Sequence, residues 1–192
     1  MRRRVDFMDA LEQIVARVFD RDGYWIKQSF KVDLRGDEKR LIGTHSMPRP
    51  EIDLLAFRPC ENLVHVIECK SYLDNPGVSV KSFQQGVSQE RFKIFNDGNR
   101  RKIIFDALRR QLIQQKICNG DVQLRLGLVA GKIRQSEREA LRHLFDENGW
   151  KLWDDKWVAE KLKEFSANLY EDSVVDMTVK LITRSTSANQ SG

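Results

Sequence analysis

The stretch EIDLLAFRPCENLVHVIECKSY, residues 51–72, limits the folds open to this chain more than any other. Two apolar runs, at 51–57 and 63–71, flank the turn-forming RPCEN, where Pro59 interrupts any continuous strand. The pattern predicts a β-hairpin of two largely buried strands. Yet Asp53 breaks into the first run, and Glu68 and Lys70 into the second. Charges within a strand core are costly unless they are paired or hold a metal ion. The hairpin is therefore where chemistry is expected.

The flanking sequence supplies the other layers. Residues 5–19 place Met8, Leu11, Val15, Val18 and Phe19 on one helical stripe, ended by Gly23. YWIKQSFKV alternates as a strand, RGDEKRLIGTHSMPRP reads as a long polar loop, and LDNPGV as a turn. Residues 78–98 show no clean period. A helix over 99–117 puts Ile104, Ala107, Leu108, Gln111 and Gln115 on one face, and DVQLRLGLVAGKI is a strand long enough to be central. Ser136 with Glu139 reads as a capping box opening a helix that ends near Gly149. GWKLWD is a short strand, 156–169 a helix, and 171–182 apolar enough to pack as another. The order α-β-β-β-(α)-α-β-α-β-α-α predicts an α/β fold, a mixed central sheet with helices on both faces. With no repeat or linker, one domain is expected over 1–184, followed by a disordered polar tail at 185–192.

Composition excludes several classes. No apolar run approaches the roughly 18 residues of a membrane span. The basic start MRRRVDFMDALEQ runs at once into acids and does not read as a signal peptide, so residence in the cytoplasm is expected. Cys60, Cys69 and Cys118 are odd in number and build no disulfide framework, and His45, His65 and His143 pair with them at no zinc-like spacing. Any metal must then be held mainly by oxygen, which points to Mg²⁺ or Mn²⁺. A net charge of +5 is compatible with nucleic acid. Basic residues cluster at Arg2–Arg4, Arg100–Lys102 and Arg109–Arg110, to track a phosphate backbone or simply to solvate helix faces.

Alternation along the second hairpin strand puts Val64, Val66, Glu68 and Lys70 on one face, with Glu68 and Lys70 about 7 Å apart. Antiparallel pairing can bring Asp53 beside Glu68. Two carboxylates and a main-chain carbonyl make an oxygen site for Mg²⁺, and an adjacent lysine can position or help deprotonate a bound water. That set suits metal-assisted attack on a phosphodiester.

An acid in a second strand followed by Glu-x-Lys in a third, here Asp53 and Glu68-Cys69-Lys70, resembles the PD-(D/E)XK nuclease superfamily. The likeness extends over residues 5–133. Ile52 stands before Asp53 where the pattern has proline, and Pro50 lies two places earlier. The resemblance implies a restriction-endonuclease-like αβββαβ core and a Mg²⁺- or Mn²⁺-dependent endonuclease acting on DNA, with RNA left open. It implies that Asp53, Glu68 and the Cys69 backbone carbonyl hold the metal while Lys70 assists the attacking water. Glu12, at the border of the first helix's apolar stripe, is similar in position to a first-helix glutamate of archaeal Holliday-junction resolvases, which would make it an outer ligand. The alternative for Glu12 is a solvent-facing edge residue. Gln111, amid an apolar face, is either a site residue or a satisfied core amide. Glu51 competes with Asp53, whose apolar flanks favour it as the deeper ligand. Tyr72, Asp74 and Lys81 follow the motif within reach of a substrate. Many relatives in that superfamily cut as homodimers, an expectation by resemblance alone. The alternative in another class is a non-catalytic nucleic-acid-binding or interaction module on the same fold.

Overall fold

A computed structural model describes residues 10–43, 49–83 and 90–167, together with Val175, Met177, Thr178 and Lys180. Most of the helix expected at 171–182, and the tail expected at 185–192, lie outside the described residues. Helix α1 (Ala10–Arg21) leads into strand β1 (Trp25–Lys31), a short helix α2 (Gly36–Leu41), and the hairpin β2 (Glu51–Arg58) and β3 (Leu63–Lys70). A segment with two 3-10 turns and the short helix α3 (Lys93–Asn96) follows. Then come α4 (Gly98–Gln114), β4 (Gln123–Ala130), α5 (Arg138–Glu147), β5 (Lys151–Trp153) and α6 (Asp155–Ala167).

The strands form one mixed sheet in the order β1-β2-β3-β4-β5. β1, β2 and β3 pair antiparallel, whereas β4 joins β3 in parallel and β5 joins β4 in parallel. The expected hairpin is present, closed by a 3-10 turn at Pro59–Glu61 with Asn62 left-handed at φ +45°. Asparagine tolerates that conformation better than most residues. Parallel pairing of β3 and β4 requires a crossover, and α4 supplies it.

Helices cover both faces. On one, Leu11, Val15 and Phe19 of α1 and Val158 of α6 pack against Leu54, Ala56, Ile67, Cys69 and Val129. On the other, Ile104, Leu108 and Leu112 of α4 and Leu141 and Phe145 of α5 cover Leu55, Phe57, Val64, Val66, Leu126 and Leu128. The two faces of β3 therefore sort by alternation as the sequence predicts.

Two local expectations are corrected. The polar loop after β1 holds α2, whose residues bury no side chain and so leave no apolar signal. The Ser136–Glu139 capping box does not form. Gln135–Glu137 is a 3-10 turn, and α5 begins at Arg138 without a side-chain cap. Glu137 instead accepts a 2.7 Å hydrogen bond from the Val80 backbone N–H, tying that turn to the segment after the hairpin.

Candidate active site

β2 and β3 are in register from Arg58–Leu63 to Leu54–Ile67, where the pairing stops. Asp53, Glu68, Cys69 and Lys70 lie just beyond that point. Asp53 sits at an irregularity in β2. Its neighbours Ile52 and Leu54 would share a face in a regular strand, yet Ile52 packs with the α4 side and Leu54 with the α1 side. Opposite, Ser29 of β1 has φ +48°, and the pairing of β1 with β2 skips Ser29 and Asp53. A non-glycine residue in that region costs about 1 kcal/mol, so the distortion is held by its surroundings. It turns the Asp53 carboxylate toward the neighbouring strand, where Oδ2 accepts a 2.8 Å hydrogen bond from the Cys69 N–H. A side chain thus replaces a ladder bond at the parted ends of the strands.

Lys70 links the two acids. Its Nζ lies 3.0 Å from Glu68 Oε2 and 3.6 Å from Asp53 Oδ2. The three side chains are only 14–22% exposed, so these charges interact with little screening. Burial pushes the Glu68 carboxyl up to about 7, with Lys70 opposing and Asp53 reinforcing the rise. Burial pulls the Lys70 ammonium down, but the charges of Glu68 and Asp53 outweigh it and raise the group above its ordinary value. Lys70 is therefore a cation at neutral pH. The Cys69 thiol is pushed well up by burial and then by the charges of Asp53 and Glu12, so it stays protonated.

The cluster opens onto two clefts. One, of about 540 Å³, is lined by Glu12, Asp53, Cys69, Lys70 and the segment Ser71–Asn75. The other, of about 270 Å³, is lined by Glu51, Ile52, Glu68, Lys70 and basic residues of α3 and α4. Lys70 lines both, so the site passes through the gap between β2 and β3 rather than lying on one face. Simple alternation does not reveal this division.

The expected residues are distributed as follows. Glu12, in the first turn of α1 and half-buried, lines the Asp53 cleft. That turn is tethered to β1 by a 3.5 Å hydrogen bond from Gln28 Nε2 to the Glu12 carbonyl. Glu51 is exposed, lies 3.9 Å from Lys31 and lines the Glu68 cleft. Tyr72 and Asp74 line the Asp53 cleft, whereas Lys81 does not. Gln111 is not brought to the cluster. Buried on α4, it accepts a 2.9 Å bond from the Asp33 N–H at Oε1 and donates a 3.3 Å bond to the Lys31 carbonyl from Nε2. It is a satisfied core amide that fastens the end of β1 to α4.

Much of the basic helix is engaged within the fold. Arg101 donates to the Ile94 and Phe95 carbonyls and lies 5.2 Å over the Trp150 ring. Arg109 pairs with Asp106, and Arg110 grips Glu38 at 2.7 and 2.9 Å. Of that cluster only Arg100 reaches a cleft beside the acids, where Arg91 and Lys93 join it. Arg91 and Lys93 were not expected, because their segment has no readable period.

Among the described residues no group of three or more His, Cys, Asp or Glu side chains converges as a preformed metal cage, and no helix is long and apolar enough to cross a membrane. Compared with family models, curated proteins and solved structures, the chain matches none.

Proposed function

We propose that this protein is a metal-dependent nuclease that hydrolyses phosphodiester bonds in DNA through Asp53, Glu68 and Lys70, on a restriction-endonuclease-like fold. The observation that carries the reading is the convergence of both carboxylates on one ammonium where β2 and β3 part. Ion pairs that only stabilise seldom justify burying three charges in a strand core, since apolar residues serve as well or better.

The donor set fits Mg²⁺ or Mn²⁺. Mg²⁺ is satisfied by one or two carboxylates and retained waters, so a cage of three acids is unnecessary. Asp53 and Glu68 would hold the ion. In a strand a residue's N–H and C=O point to the same side. The Cys69 N–H bonds Asp53, whereas the Lys70 carbonyl accepts from Gly131 N in the opposite direction. The Cys69 carbonyl therefore faces the Asp53 side and would offer the ion a further oxygen. A bound divalent ion would polarise the phosphoryl oxygen and acidify a water.

The chain's own groups would do the rest. Lys70, held as an ammonium, would donate hydrogen bonds to the charge that accumulates on the phosphorane oxygens, rather than accept a proton from water. Glu12, across the Asp53 cleft, would orient a water as an outer partner. Arg100 beside Glu68 offers a cation to the strand on the other side.

The closed ion cluster favours one second reading. If Lys70 is the permanent counter-ion of Asp53 and Glu68, the domain binds nucleic acid without cutting it. Incubation with duplex, branched and single-stranded DNA and with RNA, in Mg²⁺, Mn²⁺ or EDTA, separates the two. Cleavage of DNA that EDTA stops and Asp53→Asn abolishes is expected. Binding without cleavage in either metal would reject the nuclease.

A further inference from the structure

A third hollow adjoins the two clefts, and one side chain borders all three: Arg91. The hollow measures about 460 Å³ and is walled by Tyr72, Asn75, Ser79, Ser82, Arg91 and Arg134. Two guanidinium groups, an amide and hydroxyls line it, with no carboxylate among the described residues of its wall.

Its backbone is fixed on both sides. Phe92, fully buried against Phe83 and Phe95, anchors the 3-10 turn Glu90–Phe92 that presents Arg91 outward. Across the hollow, Gly77 at φ +98° packs so tightly on Ile133 and Arg134 that an added Cβ would lie 2.9 Å from the Ile133 carbonyl carbon. Val78 N–H donates to the Lys132 carbonyl and Arg134 N–H to the Val78 carbonyl, at 2.9 and 3.0 Å. These bonds fix the Arg134 backbone at the wall of the hollow that Arg91 also lines. Arg134 is partly neutralised by Glu137 at 3.3 Å, but Arg91 has no ion pair among the described residues, its guanidinium lying 5.9 Å over the Tyr72 ring.

The charge distribution gives this cation a task. A polynucleotide entering the Asp53 cleft meets Asp53, Glu12 and Asp74 and only one cation of the motif, Lys70. Its flanking phosphates need positive charge close by to offset that repulsion. We propose that the hollow is a second phosphate subsite. Arg91, backed by Arg134, holds the phosphodiester next to the scissile one on the same strand and so sets the register of the cut. Arg91 is a positioning residue in this scheme, and the proposal rests on the nuclease reading above.

The test uses the full chain and an oligonucleotide whose cleavage position has been mapped, prepared also with a neutral methylphosphonate at each flanking phosphate in turn. Arg91→Ala should raise KM in Mg²⁺, and Kd in EDTA by fluorescence anisotropy, about tenfold, the scale of one charged hydrogen bond. It should leave kcat within a factor of two, and Arg91→Lys should recover part of the loss. One methylphosphonate position should cost the wild type the same factor and cost Arg91→Ala nothing. Arg91 is exposed, so an unchanged circular dichroism spectrum is expected to accompany these effects. If the wild type cleaves while Arg91→Ala keeps its KM, Kd and every methylphosphonate penalty, the subsite is wrong and the nuclease stands. If the wild type neither binds nor cuts any nucleic acid, both fall together.

Discussion

Asp53 accepts, through Oδ2, a 2.8 Å hydrogen bond from the backbone N–H of Cys69. One carboxylate thus closes a gap in the sheet and supplies charge to the site, and two substitutions separate these roles. Asp53→Asn keeps a carbonyl oxygen for the Cys69 N–H and loses the charge. It should abolish cleavage and weaken Mg²⁺ binding while changing unfolding free energy by less than about 1 kcal/mol. Asp53→Ala should add a cost of about 1–3 kcal/mol for the stranded N–H. Urea melts and calorimetric Mg²⁺ titrations would read both. Equal stability of the two variants would show that the bond does not hold the strand end, and full activity in either would end the assignment.

Removing Lys70 leaves two shielded carboxylates without a counter-charge. In Lys70→Met the Glu68 carboxyl, already raised by burial, should rise further. A carboxyl whose folded pKa exceeds its unfolded one destabilises the fold as pH climbs from the unfolded value through the folded one. The wild-type Glu68 carboxyl already ionises at about 7, so the variant should be near wild-type in stability at pH 5 and fall about 1 kcal/mol below it by pH 8. Mg²⁺ can take the place of the ammonium, so it should raise the variant's Tm more than the wild type's and bind at least as tightly, although the rate is lost. A Tm indifferent to Mg²⁺ at pH 8 would argue that no cation site lies there.

Gln111 separates a residue that builds the fold from one that does chemistry. Its amide bonds the Asp33 N–H and the Lys31 carbonyl. Gln111→Leu should cost about 1–3 kcal/mol by removing the partner of the Asp33 N–H and the Lys31 carbonyl, yet leave kcat per folded molecule unchanged. A selective fall in kcat, with normal stability, would return Gln111 to the site.

His65 is 5% exposed, packs against Tyr24 and Trp153, and has a buried Nδ1 with no hydrogen-bond partner among the described residues. Burial, helped by the Arg125 charge, pushes the imidazole down to about 4. The unfolded chain takes up this proton near 6.5 and the folded chain only near 4. Stability present above pH 6.5 should thus decline by about 3 kcal/mol between pH 6.5 and pH 4. His65→Phe should flatten that limb in urea melts across the range. A limb of unchanged steepness would assign it to carboxylates instead.

The legibility of these features follows their physics. The hairpin, α1 and β4 were readable because burial of a whole face imposes a period on the sequence. α2 was not, because it buries nothing and is secured by the long-range Glu38–Arg110 pair. The Ser136 cap failed because Glu137, one residue on, is drawn to Val80, a contact between segments far apart in sequence. Asp53, Glu68 and Lys70 were found as charges misplaced in strands. The turn of Asp53 into the gap coincides with the left-handed Ser29 on the neighbouring strand, and no local pattern encodes it. Arg101 and Arg110 look like a phosphate-binding face until their partners are known.

The β3–β4 pairing also has a kinetic side. β2 and β3 meet across a tight turn, whereas β4 reaches β3 only after the whole crossover, residues 71–122, has been gathered in. Local hairpins close in microseconds, and parallel contacts of long sequence separation form late because the loop-closure entropy is spent first. Glu68 and Lys70 can then keep their water through the early steps and lose it when β4 docks. The cost of dehydrating the site would fall after the rate-limiting barrier. Lys70→Met should in that case quicken unfolding and leave the folding limb of the chevron in place. A slowed folding limb would put the ion cluster inside the nucleus.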